Sequence, residues 1–211
     1  MASEPLRDTA RRFAFEIAAI TVGILIALWI DAVVQRNRDR ALVGQARAAV
    51  GREISDNRQD LARGFQGLEK HQEDLTQALR FADDLLKTGK SDVHELNLGF
   101  SFPSLNRAAW QTAERTGALA LMDYEEVKEL SELYELQDLV ADSQRELLVR
   151  LSGLTAIVGA GAGGDPTKSS PRDLQVFRSR LLDALGAVSV HKSLASALAE
   201  GYRKRAQPDA R

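Results

Sequence analysis

The chain has 211 residues, with 28 Lys and Arg against 30 Asp and Glu, a length that suits one domain or a small domain with an appendage. A formal net charge of −2 supplies no basic field for a polynucleotide, so no nucleic-acid partner is expected. The absence of Cys removes disulfides, thiolate nucleophiles, Cys-ligated zinc and iron–sulfur clusters.

Residues 1–12 form a short polar flank, after which Phe13–Val34 is the most apolar stretch of the chain. Twenty-two helical residues span roughly 33 Å, enough for a hydrocarbon core of about 30 Å. Glu16 and Asp31 leave only Ile17–Ile30 wholly uncharged, a length also seen in core helices and signal peptides. Three features favour an uncleaved transmembrane helix. Both acids lie at the ends, where carboxylates reach the headgroups. Trp29 lies near the distal end, where an indole favours the interface. Ala27-Leu28-Trp29 and Ala32-Val33-Val34 both lack the small residues that signal cleavage needs. Ala19, Gly23 and Ala27 recur every four residues, with Asp31 next in the row and Glu16 one step before it. Small residues at this spacing let two helix backbones approach closely, which predicts self-association or docking on a partner membrane protein. Arg7, Arg11 and Arg12 on one flank and Arg36, Arg38, Arg40 and Arg47 on the other leave the orientation nearly balanced.

Residues 35–205 read as a helical bundle domain and 206–211 as a frayed tail. Ile54, Leu61, Leu68, Leu75 and Ala82 form one period-seven column. Val43, Val50, Asn57, Gly64, His71, Ala78 and Leu85 form a second, interrupted by three poor coiled-coil residues. The seam is expected to continue from the span and to end at Thr88-Gly89-Lys90-Ser91. Ser104 is expected to cap a short helix that ends near Thr116, with Gly117 as its left-handed stop. Asp123 and Glu126 suggest a capping box for the next helix. Its inward face is read as Val127, Leu130, Tyr134, Ala141, Leu148 and Leu151, broadened by Leu133, Val140, Leu147 and Leu154. Gly159–Gly164 breaks that helix, and Ser170-Pro171 opens the last one. Leu174, Phe177, Leu181, Leu185, Val188, Leu194, Leu198 and Tyr202 carry the final stripe. The expected fold is all-α: a transmembrane helix running into an elongated antiparallel bundle of three long helices and one short.

Catalytic and cofactor signals are thin, and no catalytic residue, metal or cofactor is assigned. His71 and His191 sit on or beside apolar stripes, while Asp92-Val93-His94-Glu95 lacks the second His of a zinc-binding helix. Gly99–Pro103 has Pro where a nucleophile elbow needs its final Gly. Gly159–Ser170 places Thr167 before Lys168 where a phosphate loop needs Gly. The better candidate is a small ligand pocket around Arg107, Trp110, Gln111, Tyr134 and Gln137, where an indole, a phenol and polar groups converge; packing alone is the simpler reading.

Glu16-Ile17, Gly23-Ile24-Leu25-Ile26-Ala27-Leu28 and Asp31, followed by the Arg-rich Gln35–Arg40, resemble the start of a widespread bacterial family of single-span membrane proteins of unknown function. Ala109–Ala113, Thr116–Leu119 and Tyr134–Gln137 resemble its second recurring block. The resemblance implies a cell-membrane anchor, a helical soluble domain leaning periplasmic, and no known activity or cofactor. The expectation is a non-enzymatic sensor or scaffold subunit that contacts the lipid bilayer and binds a partner or ligand, with a small-molecule or enzymatic site near Trp110 and Tyr134 as the alternative.

Overall fold

The computed structural model describes residues 4–93, 96–160 and 166–206. It contains four helices, α1 (Glu4–Thr88), α2 (Ala108–Arg115), α3 (Tyr124–Ala160) and α4 (Pro171–Ala206), with short 3₁₀ turns at Leu119–Leu121 and Pro166–Lys168. None of the described residues forms a strand, and the all-α expectation holds. His94, Glu95, most of the Gly159–Gly164 break and residues 207–211 lie outside the described set.

At 1.5 Å per residue the 85-residue α1 is about 128 Å long. Its apolar N-terminal part touches nothing: Phe13 is 64% exposed and Trp29 65%. One helix is therefore long and apolar enough to cross a membrane, and its most apolar window has no buried residue. Burial starts at Val43 and then follows the two period-seven columns, every member being buried except the half-buried Gly64. The core helix and the apolar segment are one uninterrupted element.

α4 packs along both α1 and α3. It runs antiparallel to α1, as Arg178–Asp83 and Lys192–Glu69 show, and antiparallel to α3, where Gly201 meets Leu133 and His191 meets Ser143. α1 and α3, by contrast, run in the same direction: Arg47 pairs with Glu126, Glu53 with Tyr134, and Asn57 with Gln137. The return leg between them is an extended strap, residues 96–107, which descends along α1 and ends in α2. Ser101 meets His71, Pro103 meets Gly64, and Asn106 meets Asn57. The three residues that spoil the heptad seam are thus the three that receive the strap.

Local stops explain the element ends. Gly117 takes φ 75°, and the N–H groups of Gly117 and Ala118 bond back to Glu114 and Ala113, the Schellman arrangement that closes α2. Gly89 at φ 72° ends α1 as expected. Ser170 Oγ accepts the Asp173 N–H at 3.2 Å, and Pro171 is the first residue of α4.

Three sequence readings need correction. Ser104 does not cap α2: the chain stays extended to Arg107 because Asn57 and Gln137 hold the Asn106 backbone outside any helix. Asp123 Oδ1 caps α3 by accepting the Glu125 N–H at 3.0 Å, but the Glu126 side chain is drawn to Arg47 and Arg205. Leu148 is 48% exposed; the buried face of α3 consists of Leu130, Leu133, Tyr134, Val140, Leu147, Leu151 and Leu154. At this level Leu147, Leu151 and Leu154 share a cluster with Leu68 and Leu75 of α1 and Phe177 and Leu181 of α4, and Leu148 points away from it.

A Cβ at Gly64 would sit 2.7 Å from Pro103 Cγ, a ring atom with no rotamer to escape through, whereas one at Gly44 would meet nothing within 4 Å. Gly64→Ala is therefore expected to lose about 1–3 kcal/mol despite its better helix propensity, and Gly44→Ala to gain up to about 1 kcal/mol. Chemical unfolding of the full-length protein in detergent checks the pair. Equal effects at the two glycines would mean that the strap does not press on α1 at Gly64.

Candidate functional site

The five pocket candidates fall at the junction of α1, the strap, α2 and α3. Trp110 and Tyr134 stack with centroids 5.0 Å apart and planes 19° from parallel. Both are buried, as is Gln137, while Gln111 is half-buried on the same helix as Trp110. Arg107 extends outward to Asp138, its Nη1 lying 2.6 Å and 2.5 Å from the two carboxylate oxygens. The rings fill the space between α2 and α3 against each other.

The organising residue beneath them is Glu53, only 8% exposed. Its Oε2 accepts the Ala109 N–H at 2.7 Å, and its Oε1 accepts the Tyr134 hydroxyl at 2.6 Å and the Trp110 N–H at 3.4 Å. Arg107 offers no side-chain cap at the start of α2, so the carboxylate of another helix satisfies the orphan amides. A negative group also suits the positive end of a helix. Burial first, and the bond to Glu53 second, push the Tyr134 hydroxyl pKa far above its usual 10, so it stays protonated as a donor.

One turn further along α1, Asn57 is completely buried and clamps the Asn106 peptide from both sides. Its Nδ2 donates to Asn106 O at 2.7 Å, and its Oδ1 accepts the Asn106 N–H at 2.7 Å. Gln137 donates to the same carbonyl at 2.9 Å, and its Oε1 accepts from the Tyr202 hydroxyl at 2.7 Å. Asn57, Gln137 and Tyr202 thereby tie three helices to one peptide unit. Burial also raises the Tyr202 pKa.

Two histidines line the upper strap. Nε2 of His71 lies 3.1 Å from the Ser101 N–H and 3.2 Å from the Ser101 carbonyl, and its ring lies 4.7 Å from Phe100. The His191 ring meets Phe102 edge-on at 5.6 Å, and its Nδ1 is 2.6 Å from Ser143 Oγ. Burial lowers the His191 pKa below 6.5, so the ring is neutral in the fold at neutral pH. Among the described residues no three His, Cys, Asp or Glu side chains are placed to share a metal ion.

The span residues Glu16, Ala19, Gly23, Ala27 and Asp31 are all exposed on the free part of α1, far from this junction. A Cβ at Gly23 would meet nothing within 4 Å, so that face is bare within one copy of the chain. Glu53 escaped the sequence reading. The available signal was its position seven residues after the small Ala46 and four before Asn57, which puts a carboxylate on the rim of the seam.

Glu53→Gln should cost about 2 kcal/mol, because its NH2 group would face a donor where the second carboxylate oxygen now accepts. Tyr134→Phe should cost about 1.5 kcal/mol, because it leaves Glu53 Oε1 without its hydroxyl donor. The double variant should lose less than the sum, since both perturb the Tyr134–Glu53 contact; additive losses in urea titrations would show that the two are not coupled. Stability should also fall as pH drops below about 6.5, where the unfolded chain protonates His191 and the native state resists. His191→Gln should flatten that slope between pH 6.5 and the carboxylate range. An unchanged slope would assign the acid sensitivity elsewhere.

No family model, curated protein or solved structure matches this chain, so its function is read from its own geometry.

Proposed function

We propose that this protein is a single-pass bacterial cell-membrane protein whose helical domain is a non-enzymatic binding module, a sensor or scaffold. The observation that carries the reading is the bare apolar segment of α1. A core helix of a soluble protein would be covered by its neighbours, yet Ile20, Leu25, Leu28 and Trp29 are each about 60% exposed. The seam of the bundle continues that segment without a break, which suits a protein that couples what its domain binds to the state of its span. Its resemblance to the bacterial single-span family supports the same reading and favours a periplasmic domain.

The row Ala19, Gly23, Ala27, flanked by Glu16 and Asp31, is the proposed contact between spans. Gly23→Ile should weaken detergent-resistant self-association of the full-length chain, as read by cross-linking or analytical ultracentrifugation. Unchanged association would remove this face from the proposal. The side of the membrane is tested with Ser169→Cys, in the connection between α3 and α4, as the chain has no other thiol. A periplasmic domain predicts labelling by an impermeant maleimide in intact cells. Labelling only after lysis would place the domain in the cytoplasm.

A further inference from the structure

We infer that the membrane-proximal end of the bundle holds a binding site for a small organic anion with an apolar body and a carboxylate or phosphate head. The proposal rests on the binding-module reading and gives it a ligand class. A cavity of about 190 Å³ opens where α1, the start of α3 and the end of α4 converge. Its apolar lining comes from Val50, Ile54, Leu130 and Tyr202, and its charged lining from Arg47, Arg58, Arg205 and Glu126.

Charge accounting separates the three guanidiniums. Arg47 forks onto Glu126, with Nη2 at 2.6 Å, and Arg205 reaches Glu129 at 2.9 Å and Glu126 at 3.4 Å. Among the described residues the solvent-exposed Arg58 at the rim has no carboxylate within ion-pair distance, so the lining keeps a guanidinium free to meet an incoming anion. A guanidinium presents a planar fork that matches an oxyanion bidentately. Gly51 forms part of the lining, and a Cβ there would meet nothing within 4 Å, so the missing side chain leaves this side open.

Geometry argues for a soluble ligand over a lipid. Along α1, Arg47 lies about 20 Å and Arg58 about 36 Å beyond Val34 at 1.5 Å rise per residue. Headgroups extend only about 5–8 Å past the hydrocarbon core. The volume is below the roughly 300–1,000 Å³ of sites for drug-sized ligands, which fits a metabolite-sized molecule. Tyr202 links the cavity to the junction, since its hydroxyl bonds Gln137 and through it the Asn106 peptide. A ligand in the cavity would thus bridge all three long helices.

The test uses full-length protein in zwitterionic lipid nanodiscs and calorimetric titration with phenyl phosphate, inorganic phosphate and benzyl alcohol. Phenyl phosphate should bind at least about tenfold more tightly than either fragment probe, because only it offers both head and body. Arg58→Gln should weaken it by about tenfold or more. Gly51→Leu should block it while leaving the thermal midpoint equal or higher, since leucine is the better helix former. Binding that is absent in the wild type, or equal in wild type and Arg58→Gln, would overturn the site. So would binding replaced by attachment to anionic-lipid vesicles with no response to phenyl phosphate. Any of these failures leaves the topology and self-association measurements intact, so the two proposals fall separately.

Discussion

The structure depends on seating an extended, partly exposed segment against α1 and α3 with its inward backbone groups paired. An amide or carbonyl turned away from water without a partner costs up to about 1–3 kcal/mol, and the inward groups of Ser101 and Asn106 are only partly reached by solvent. Glu53, Asn57 and His71 on α1, with Gln137 on α3, answer those groups one by one. Polar residues in a heptad seam would weaken a coiled coil. Here they are the condition for a different arrangement, in which a polypeptide strap replaces the fourth long helix.

That replacement sets the architecture. With the strap and α2 wedged between them, α1 and α3 meet mainly through long polar side chains and run in the same direction. α4 alone packs along both, with Leu174, Phe177, Leu181, Val188, Leu198 and Tyr202 all buried. The polar ties concentrate near the span, at residues 53 and 57 of α1, whereas the far end is closed by apolar contacts of Phe81, Leu85 and Leu174. The Glu53–Asn57 junction and the cavity beside it are thus the polar part of the bundle nearest the apolar segment of α1.

Much of this was legible in the sequence where a local signal existed. The period-seven columns of α1, the stop at Gly117, the start at Ser170-Pro171 and the stripe of α4 through Gly186 all rest on interactions within a few residues. Trp110 of the short α2 and Tyr134 of α3 do meet, as a stacked pair. For Glu53 the spacing shows only a place on the seam rim. Its partners are amides 56 and 57 residues away, and hydropathy gives a carboxylate on a seam rim no reason to be buried. The same long-range clamp explains the misplaced start of α2, since Ser104 is a good cap only if Asn106 is free to turn. Leu147 against Leu148 could not be separated either, as both fit a 3.6-residue period and only the positions of α1 and α4 decide between them.

The claim at the centre is that side chains of α1 hold the strap and the start of α2 as firmly as helices hold their own amides. Hydrogen exchange on the full-length protein, resolved to single residues, tests it directly. Ser101, Asn106 and Ala109 lack intrahelical partners for their N–H groups, and each bonds a side chain of α1. The account predicts slow exchange at all three, within about tenfold of the interior amides of α3 and α4. Exchange at open-loop rates, with α3 and α4 still protected, would contradict it and show that the bundle stands without its strap.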